Sequence, residues 1–253
     1  RRAAILLVGL LTVSLWLPAA VAEESVEGSG WTLTAAGFGD DIPYDLQRSG
    51  DRMVVAGTFT GWLSLEDDLD PLETNSSANN LDGFVAWTQP NGTWSHGSVV
   101  TSVNGTDAID RIGVLANGDL LLAGRACAGT AGLACNASFG PSLTLAKDSS
   151  GDHGFVFLAR ISEAGVWQWA RQLNSEQPMQ VLDLALQGAS VFVAVHHQGS
   201  VEVDGLDDPI AGQDREAILI VEFDQSGTTV RSLSVQTTQI IDEVASLCVN
   251  RQG

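Results

Sequence analysis

A nine-residue pattern occurs three times without a gap and sets the architecture of this chain. The copies span residues 84–92, 157–165 and 219–227. Each copy is an alternating apolar run followed by a polar tetrad that ends in glycine, which is typical of a β-strand entering a tight turn. The turn glycines are 73 and 62 residues apart. This spacing is too long for one hairpin and indicates a repeated multi-strand module.

Each repeat also contains a second hairpin. A new strand follows each copy and starts two residues after its glycine, at Trp94, Trp167 and Thr229. A further glycine turn precedes another aliphatic strand in each repeat, at Gly50, Gly118 and Gly188. Each repeat therefore holds four antiparallel strands, and a fourth repeat begins near residue 240. Such repeats predict an all-β chain built as a β-propeller of four-stranded blades. About three and a half blades are expected, which makes an open, incomplete ring.

A β-sandwich or a series of immunoglobulin-like domains is the alternative, because these folds also combine short strands with regular turns. Repeats of roughly 60–70 residues are short for immunoglobulin domains of about 100 residues. They are long for a propeller blade of about 40–50 residues, but polar insertions over 70–80 and 127–141 account for the excess. No stretch of a dozen residues has helical periodicity, whereas period-two runs are frequent.

One segment resembles a known repeat. Residues 82–94 read Asp-Gly-Phe-Val-Ala-Trp-Thr-Gln-Pro-Asn-Gly-Thr-Trp, and residues 117–124 read Asn-Gly-Asp-Leu-Leu-Leu-Ala-Gly. Both resemble the β-propeller repeat of secreted and cell-surface proteins of bacteria and archaea, often called the SBBP repeat. The resemblance covers roughly residues 31–253 and is weaker in the third unit, where Leu219 and Thr229 replace aromatic residues. It implies a propeller at the cell surface and brings no catalytic residues.

The N-terminal segment has the composition of a secretory signal peptide. Residues 1–22 combine two arginines, an apolar run over 3–17 and an Ala-x-Ala cleavage site. A membrane anchor is the alternative, but 15 apolar residues fall short of the ~20 that cross a bilayer. We therefore predict a secreted or cell-surface protein without membrane insertion after cleavage, with a linker over 23–30 and the propeller over 31–253. The open ring also predicts that the rest of a longer chain completes it.

The chain is strongly acidic, with a net charge of −19. Removing Arg1 and Arg2 leaves 10 basic against 31 acidic residues, a net charge of −21. Nucleic acids and anionic lipid surfaces are therefore disfavoured partners. A dispersed negative surface keeps a protein soluble in salt, which suits a saline habitat. Acidity that is common to secreted propellers is the alternative explanation.

The three cysteines fit an oxidising compartment. Cys127 and Cys135 flank a small-residue segment, and a disulfide between them would close the base of an inserted loop. Two reduced cysteines are the alternative. Cys248 has no predicted partner, and no cysteine or histidine spacing suggests zinc.

Four sequons predict a glycoprotein if the host glycosylates asparagine, at Asn75, Asn91, Asn104 and Asn136. Asn91 and Asn104 are explained equally well as turn formers. No cofactor is expected apart from weak Ca²⁺ candidates. These are Asp148, Ser150 and Asp152, whose alternating oxygens resemble an incomplete calcium loop. A second acidic cluster spans residues 66–70. Solvated turns explain both clusters without a metal.

No catalytic motif is present, and none of the four histidines (His96, His153, His196 and His197) belongs to a metal or nucleophile signature. Trp62 and Trp87 are less periodic and are candidates for stacking on sugar rings, with core packing as the alternative. Trp31, Trp94 and Trp167 recur at equivalent positions and are expected to pack between blades.

The expected function is therefore non-enzymatic. We predict a secreted or surface-displayed scaffold whose loop faces mediate adhesion or contact with proteins or glycans. One alternative is an extracellular carbohydrate-active enzyme, a lyase or glycosidase, with two carboxylates close to His153 or His96. The other is a structural spacer of a longer surface protein.

Overall fold

The computed structural model describes residues 34–37, 39–65, 69–73, 80–130, 134–147, 153–212, 216–236 and 247. The predicted signal peptide, the linker and Trp31 lie outside these residues. Within them the chain forms eighteen β-strands and no helix. The strands are β1 Ala36–Gly37, β2 Ile42–Ser49, β3 Arg52–Thr60, β4 Trp62–Ser64, β5 Leu72–Glu73, β6 Leu81–Thr88, β7 Trp94–Ser102, β8 Thr106–Val114, β9 Leu120–Ala128, β10 Cys135–Phe139, β11 Leu143–Lys147, β12 Phe155–Ile161, β13 Trp167–Ser175, β14 Gln180–Gln187, β15 Ser190–Gln198, β16 Val201–Val203, β17 Glu216–Asp224 and β18 Thr229–Gln236.

Twelve of these strands form three consecutive four-stranded antiparallel sheets. The first blade is β2-β3-β6-β7, the second is β8-β9-β12-β13 and the third is β14-β15-β17-β18. Within each blade the strands are hydrogen-bonded in chain order, and none of the sheets that the described residues form closes on itself. The predicted fold class is confirmed: the chain is all-β and has the arrangement of an open β-propeller fragment. The half blade expected near residue 240 lies outside the described residues.

The repeated pattern marks the strand ends. Trp94, Trp167 and Thr229 are the first residues of the fourth strands of the three blades. The turn glycines before them, Gly92, Gly165 and Gly227, have φ angles of 86°, 77° and 81°. An L side chain is strained in this left-handed region, so glycine permits the tight return of the chain.

The insertions between the second and third strands of each blade are more ordered than expected from the sequence. Cys135–Phe139, expected in a loop, forms strand β10 and pairs with β7 of the preceding blade. Strand β16 of the third blade pairs in the same way with β13 of the second. Strand β4 of the first blade pairs with β1. The insertions of the second and third blades therefore extend the outer edge of the preceding blade, which covers backbone groups that an edge strand would expose.

The cores lie between the blades, because both faces of a blade are apolar. In the second blade, Leu120 and Leu122 join the core shared with the first blade, whereas Leu121 joins the core shared with the third. This alternation follows from the period of two along a strand. Each fully buried leucine contributes about 1.5–3 kcal/mol relative to an exposed one. At the two ends of the stack, Leu46 of β2 and Leu233 of β18 are exposed.

Candidate functional site

The two ends of the blades differ in structure. One end carries the tight turns within each hairpin, and we call it the turn end. The other end carries the long connections between second and third strands, over 61–80, 129–154 and 199–215, and we call it the insertion end. It also carries the links from one blade to the next. Loops that vary on a rigid scaffold are where binding sites form most often, so the insertion end is the candidate functional face.

A polar cleft of about 510 Å³ opens at the insertion end between the second and third blades. Residues from separate parts of the sequence meet there: the end of β11 at 146–147, residues 153–154 before β12, residues 172–177 at the end of β13, and the stretch 198–212 from the end of β15 through the insertion around β16. The polar side chains that line it include four amides, Gln172, Asn174, Gln177 and Gln198, and two carboxylates, Glu176 and Glu202. His153 and Lys147 complete the ionisable groups of the lining.

Hydrogen bonds between the strands position the amides of the cleft. The Gln172 side chain donates to the Ala146 carbonyl at 3.2 Å and to the Asn174 side-chain oxygen. Its backbone N–H donates to the Asp204 carboxylate at 2.9 Å, which ties β13 to the insertion of the third blade. Gln177, Gln198 and Glu202 are exposed and leave their side chains accessible from the cleft. Hydrogen bonds therefore hold the wall of the cleft in place, while the exposed side chains at its rim offer hydrogen-bond donors and acceptors.

Charge is distributed unevenly in the cleft. Lys147 is the only lysine of the sequence. It is buried, and its Nζ donates to Thr130 Oγ1 at 3.5 Å. Glu176 and Glu202 are exposed at the rim. Planar amides and carboxylates in fixed positions can bind the hydroxyl groups of a sugar or the polar backbone of a peptide. The acidic rim disfavours anionic ligands.

Of the two tryptophans predicted to stack on sugars, Trp62 is accessible. It is 45% exposed and lines a shallow concavity of about 570 Å³ together with Pro71 and Glu73. Trp62 lies directly opposite Glu73 in the β4–β5 pair. An exposed ring beside a carboxylate can combine stacking with a hydrogen bond to a ligand.

Trp87 does not fit the stacking prediction. It is fully buried, and its ring stacks on His96 with a centroid distance of 4.5 Å. A sugar cannot reach a ring without exposed surface, so core packing is the correct interpretation of Trp87.

Burial lowers the pKa of His96. His96 thus belongs to the junction of the first two blades, whereas His153 lines the cleft with Glu176 and Glu202.

Two buried carboxyl groups were not recognised as a pair from the sequence. Asp82 and Asp107 are both completely buried at the junction of the first and second blades. Burial is the main cause that raises the pKa of Asp107, to about 6. Asp41, directly before β2, is at the position that corresponds to Asp107 of β8, and burial raises its pKa too. The recurrence of an aspartate at the start of these two inner strands is the signal that could have revealed the position.

The remaining predicted sites have different outcomes. Cys127 and Cys135 form the predicted disulfide, with their Cα atoms 5.8 Å apart. Asn91, Asn104 and Asn136 are exposed. The Asn91 side chain accepts hydrogen bonds from Thr93, as expected of a turn former. Four predicted positions lie outside the described residues, namely the sequon Asn75 and the calcium candidates Asp148, Ser150 and Asp152. So do Cys248 and most of the acidic cluster over 66–70.

No protein-family model matches this chain, and no curated protein is significantly similar to it. Among the residues that the structure describes, no helix has the length and apolar character needed to cross a membrane. In the same residues, no three side chains of His, Cys, Asp or Glu gather in a way that suits a metal ion.

Proposed function

We propose that this chain is a non-enzymatic, secreted or surface-displayed β-propeller scaffold of the SBBP type that binds glycans or proteins at its insertion end. The observation that supports this proposal is the polar cleft between the second and third blades, where hydrogen bonds hold Gln172 in the wall and amides and carboxylates line the rim. Such a lining favours a neutral, hydroxyl-rich ligand, because few charges must be desolvated when it binds.

Other features support the location of the scaffold. The disulfide between Cys127 and Cys135 suits an oxidising compartment, and the apolar N-terminal run suits export. The net charge of −19 disfavours nucleic acids as ligands.

A glycan array on the purified full chain tests the proposal. We expect a neutral oligosaccharide to bind, and we expect the double variant Gln177→Ala/Gln198→Ala to lose at least tenfold in affinity. Both side chains are exposed, so the substitutions should leave the fold intact. Gln225→Ala, at the turn end, is the matched control and should bind normally. Trp62→Ala shows whether the second concavity contributes. If neither glycans nor proteins bind, the chain is a structural spacer.

One observation favours a carbohydrate-active enzyme as the second candidate. The cleft brings His153 together with Glu176 and Glu202, a combination that acid–base catalysis on a glycosidic bond can use. Incubation with a panel of polysaccharides separates the two functions. New reducing ends or unsaturated products that disappear in His153→Ala would establish catalysis, whereas binding without turnover supports the scaffold.

A further inference from the structure

The junction of the first and second blades holds polar groups where the next junction is apolar. Asp82 and Asp107 are both 0% exposed. The pairing registers place Phe155 at the position of Asp82 in the second blade and Met179 at the position of Asp107 in the third. Both equivalents are buried apolar residues. The fold therefore does not need carboxyl groups at these positions, and burying them is costly unless a partner compensates.

Oxygen atoms from both blades meet at this point. The Asp107 carboxyl lies next to the side chains of Asp82 and Ser102. Its Oδ1 accepts a hydrogen bond of 2.8 Å from the Cys127 N–H. Its Oδ2 and the Ser102 Oγ are buried and form no hydrogen bond of normal geometry with the described residues. Thr58 Oγ1 is 3.1 Å from the Asp82 carbonyl and 2.9 Å from the Asp107 carbonyl.

The chemistry of these groups selects the ligand. Asp82 and Asp107 place two fully buried carboxyl groups side by side, and a carboxylate in such a position is unfavourable unless a positive charge lies beside it. Carboxylate and hydroxyl oxygens are hard ligands that suit Ca²⁺, whereas zinc prefers nitrogen and sulfur. Backbone carbonyls can supply further oxygens.

We propose that Asp82, Asp107 and Ser102 bind one Ca²⁺ ion at the junction of the first and second blades. Asp82 and Ser102 belong to the first blade and Asp107 to the second. The ion therefore links two blades, close to the disulfide that anchors the insertion of the second blade. This inference is independent of the cleft and of the function proposed for it.

Thermal unfolding of the full chain at pH 7.5 tests this site. After EDTA treatment, we expect 1 mM Ca²⁺ to raise the unfolding midpoint by about 5–10 °C, a shift that corresponds to a Kd near 10 μM. Mg²⁺ should have a much smaller effect, because it prefers smaller, strictly octahedral sites. Equal midpoints with EDTA and with Ca²⁺ would overturn the proposal. So would a midpoint that ignores Ca²⁺ but rises as the pH falls to 5, because the carboxyl pair then shares a proton instead of an ion.

Variants locate the ion. Asp107→Asn keeps an acceptor for the Cys127 N–H but removes the charge, so the Ca²⁺-dependent shift should disappear. Asp41→Asn is the matched control, because Asp41 accepts a hydrogen bond from the equivalent Thr60 backbone, and it should keep the shift. A full shift in Asp107→Asn would place the ion elsewhere and overturn the assignment. If Asp107→Asn does not fold, Ser102→Ala provides the test. Its Kd for Ca²⁺ should rise at least threefold, and an unchanged Kd would contradict the proposal.

Discussion

The Trp167 indole nitrogen donates a hydrogen bond of 2.8 Å to the Ser98 hydroxyl of the neighbouring blade. One blade earlier, the Trp94 indole donates to the Thr34 carbonyl at 3.0 Å. Trp167 thus connects the outer strands of the first two blades, and Trp94 connects the outer strand of the first blade to the segment before it. In the third blade Thr229 occupies this position and donates to the Asp204 carbonyl at 2.6 Å. A hydroxyl therefore replaces the indole where the repeat loses its aromatic residue.

Trp167→Phe should weaken the contact between the first two blades. Phenylalanine keeps an aromatic ring but lacks the donor, and a hydrogen bond of this kind contributes about 0.5–1.5 kcal/mol. The smaller ring also leaves unfilled space, so the total loss includes packing. Urea unfolding of a double-mutant cycle with Ser98→Ala isolates the hydrogen bond, and we expect a coupling energy of about 1 kcal/mol. Additive effects of the two substitutions would show that the bond contributes nothing.

The sequence predicted the repeated strands because their signals are local. An alternating apolar run and a turn glycine can be recognised without knowledge of the rest of the fold. The insertion strands could not be predicted in this way. Strand β16 has only three residues and is held by its pairing with β13, a contact between different blades. Tertiary context decides the structure of such short segments.

Local sequence patterns could not predict the candidate cleft either, because its lining comes from stretches that are far apart in the sequence. The sequence does contain one pattern that points to a contact between neighbouring blades. Asp45 and Asp183 lie beside β-bulges at equivalent positions of the first and third inner strands, where the second has Arg111. The Asp45 carboxylate accepts a hydrogen bond of 2.8 Å from the Ile112 N–H of the next blade. The recurrence of aspartate in two inner strands could have indicated this connection, although not its partner.

Asp119 should be important for stability, although the equivalent Asp51 is not. Both follow the glycine of an inner hairpin turn, but Asp51 is exposed, whereas Asp119 accepts hydrogen bonds from Arg160 at 2.6 and 3.0 Å. Burial alone would raise the pKa of Asp119, but hydrogen bonds from Arg160 and other side chains outweigh it and lower this pKa.

We expect Asp119→Ala to reduce the free energy of unfolding by about 2–3 kcal/mol at pH 7, because Arg160 loses its partner in a partly buried site. Asp51→Ala is the matched control and should change it by less than about 0.5 kcal/mol. Urea unfolding of both variants measures the difference. Equal losses would show that the turn itself, and not the ion pair, explains the effect.

His197 should make the protein less stable as the pH falls below neutrality. It is fully buried, and burial lowers the pKa of its imidazole. The unfolded chain therefore binds a proton at a pH where the folded chain does not. The neutral imidazole of His197 contributes its full stabilisation above 6.5, the pKa of histidine in the unfolded chain. This stabilisation is lost as the pH falls toward the lower pKa of His197 in the folded chain.

Unfolding curves between pH 7.5 and 5.5 test this role. The variant His197→Asn should have a flatter profile than the unmodified chain, and the difference in slope is at most about 1.4 kcal/mol per pH unit for one proton. Asp107 acts in the opposite direction. Its pKa is raised to about 6, so its contribution is complete below 3.8 and is lost as the pH rises through 6. Asp107 is present in both proteins, so its effect cancels in the comparison. Identical slopes would exclude His197 as the source.

The disulfide should stabilise the chain because it fixes an unusual backbone as well as a short loop. Cys127 has a φ of 58° and is the non-glycine residue with a positive φ among those described. Because the loop has a sequence separation of 8, we expect the double variant Cys127→Ser/Cys135→Ser to lose about 2–3 kcal/mol of unfolding free energy, measured by urea unfolding.

Reductant should lower the unfolding midpoint of the unmodified chain and leave that of the variant unchanged. Thiol titration of the denatured, unreduced chain should find one free thiol. Three free thiols among the three cysteines of the sequence would mean that the bond does not form.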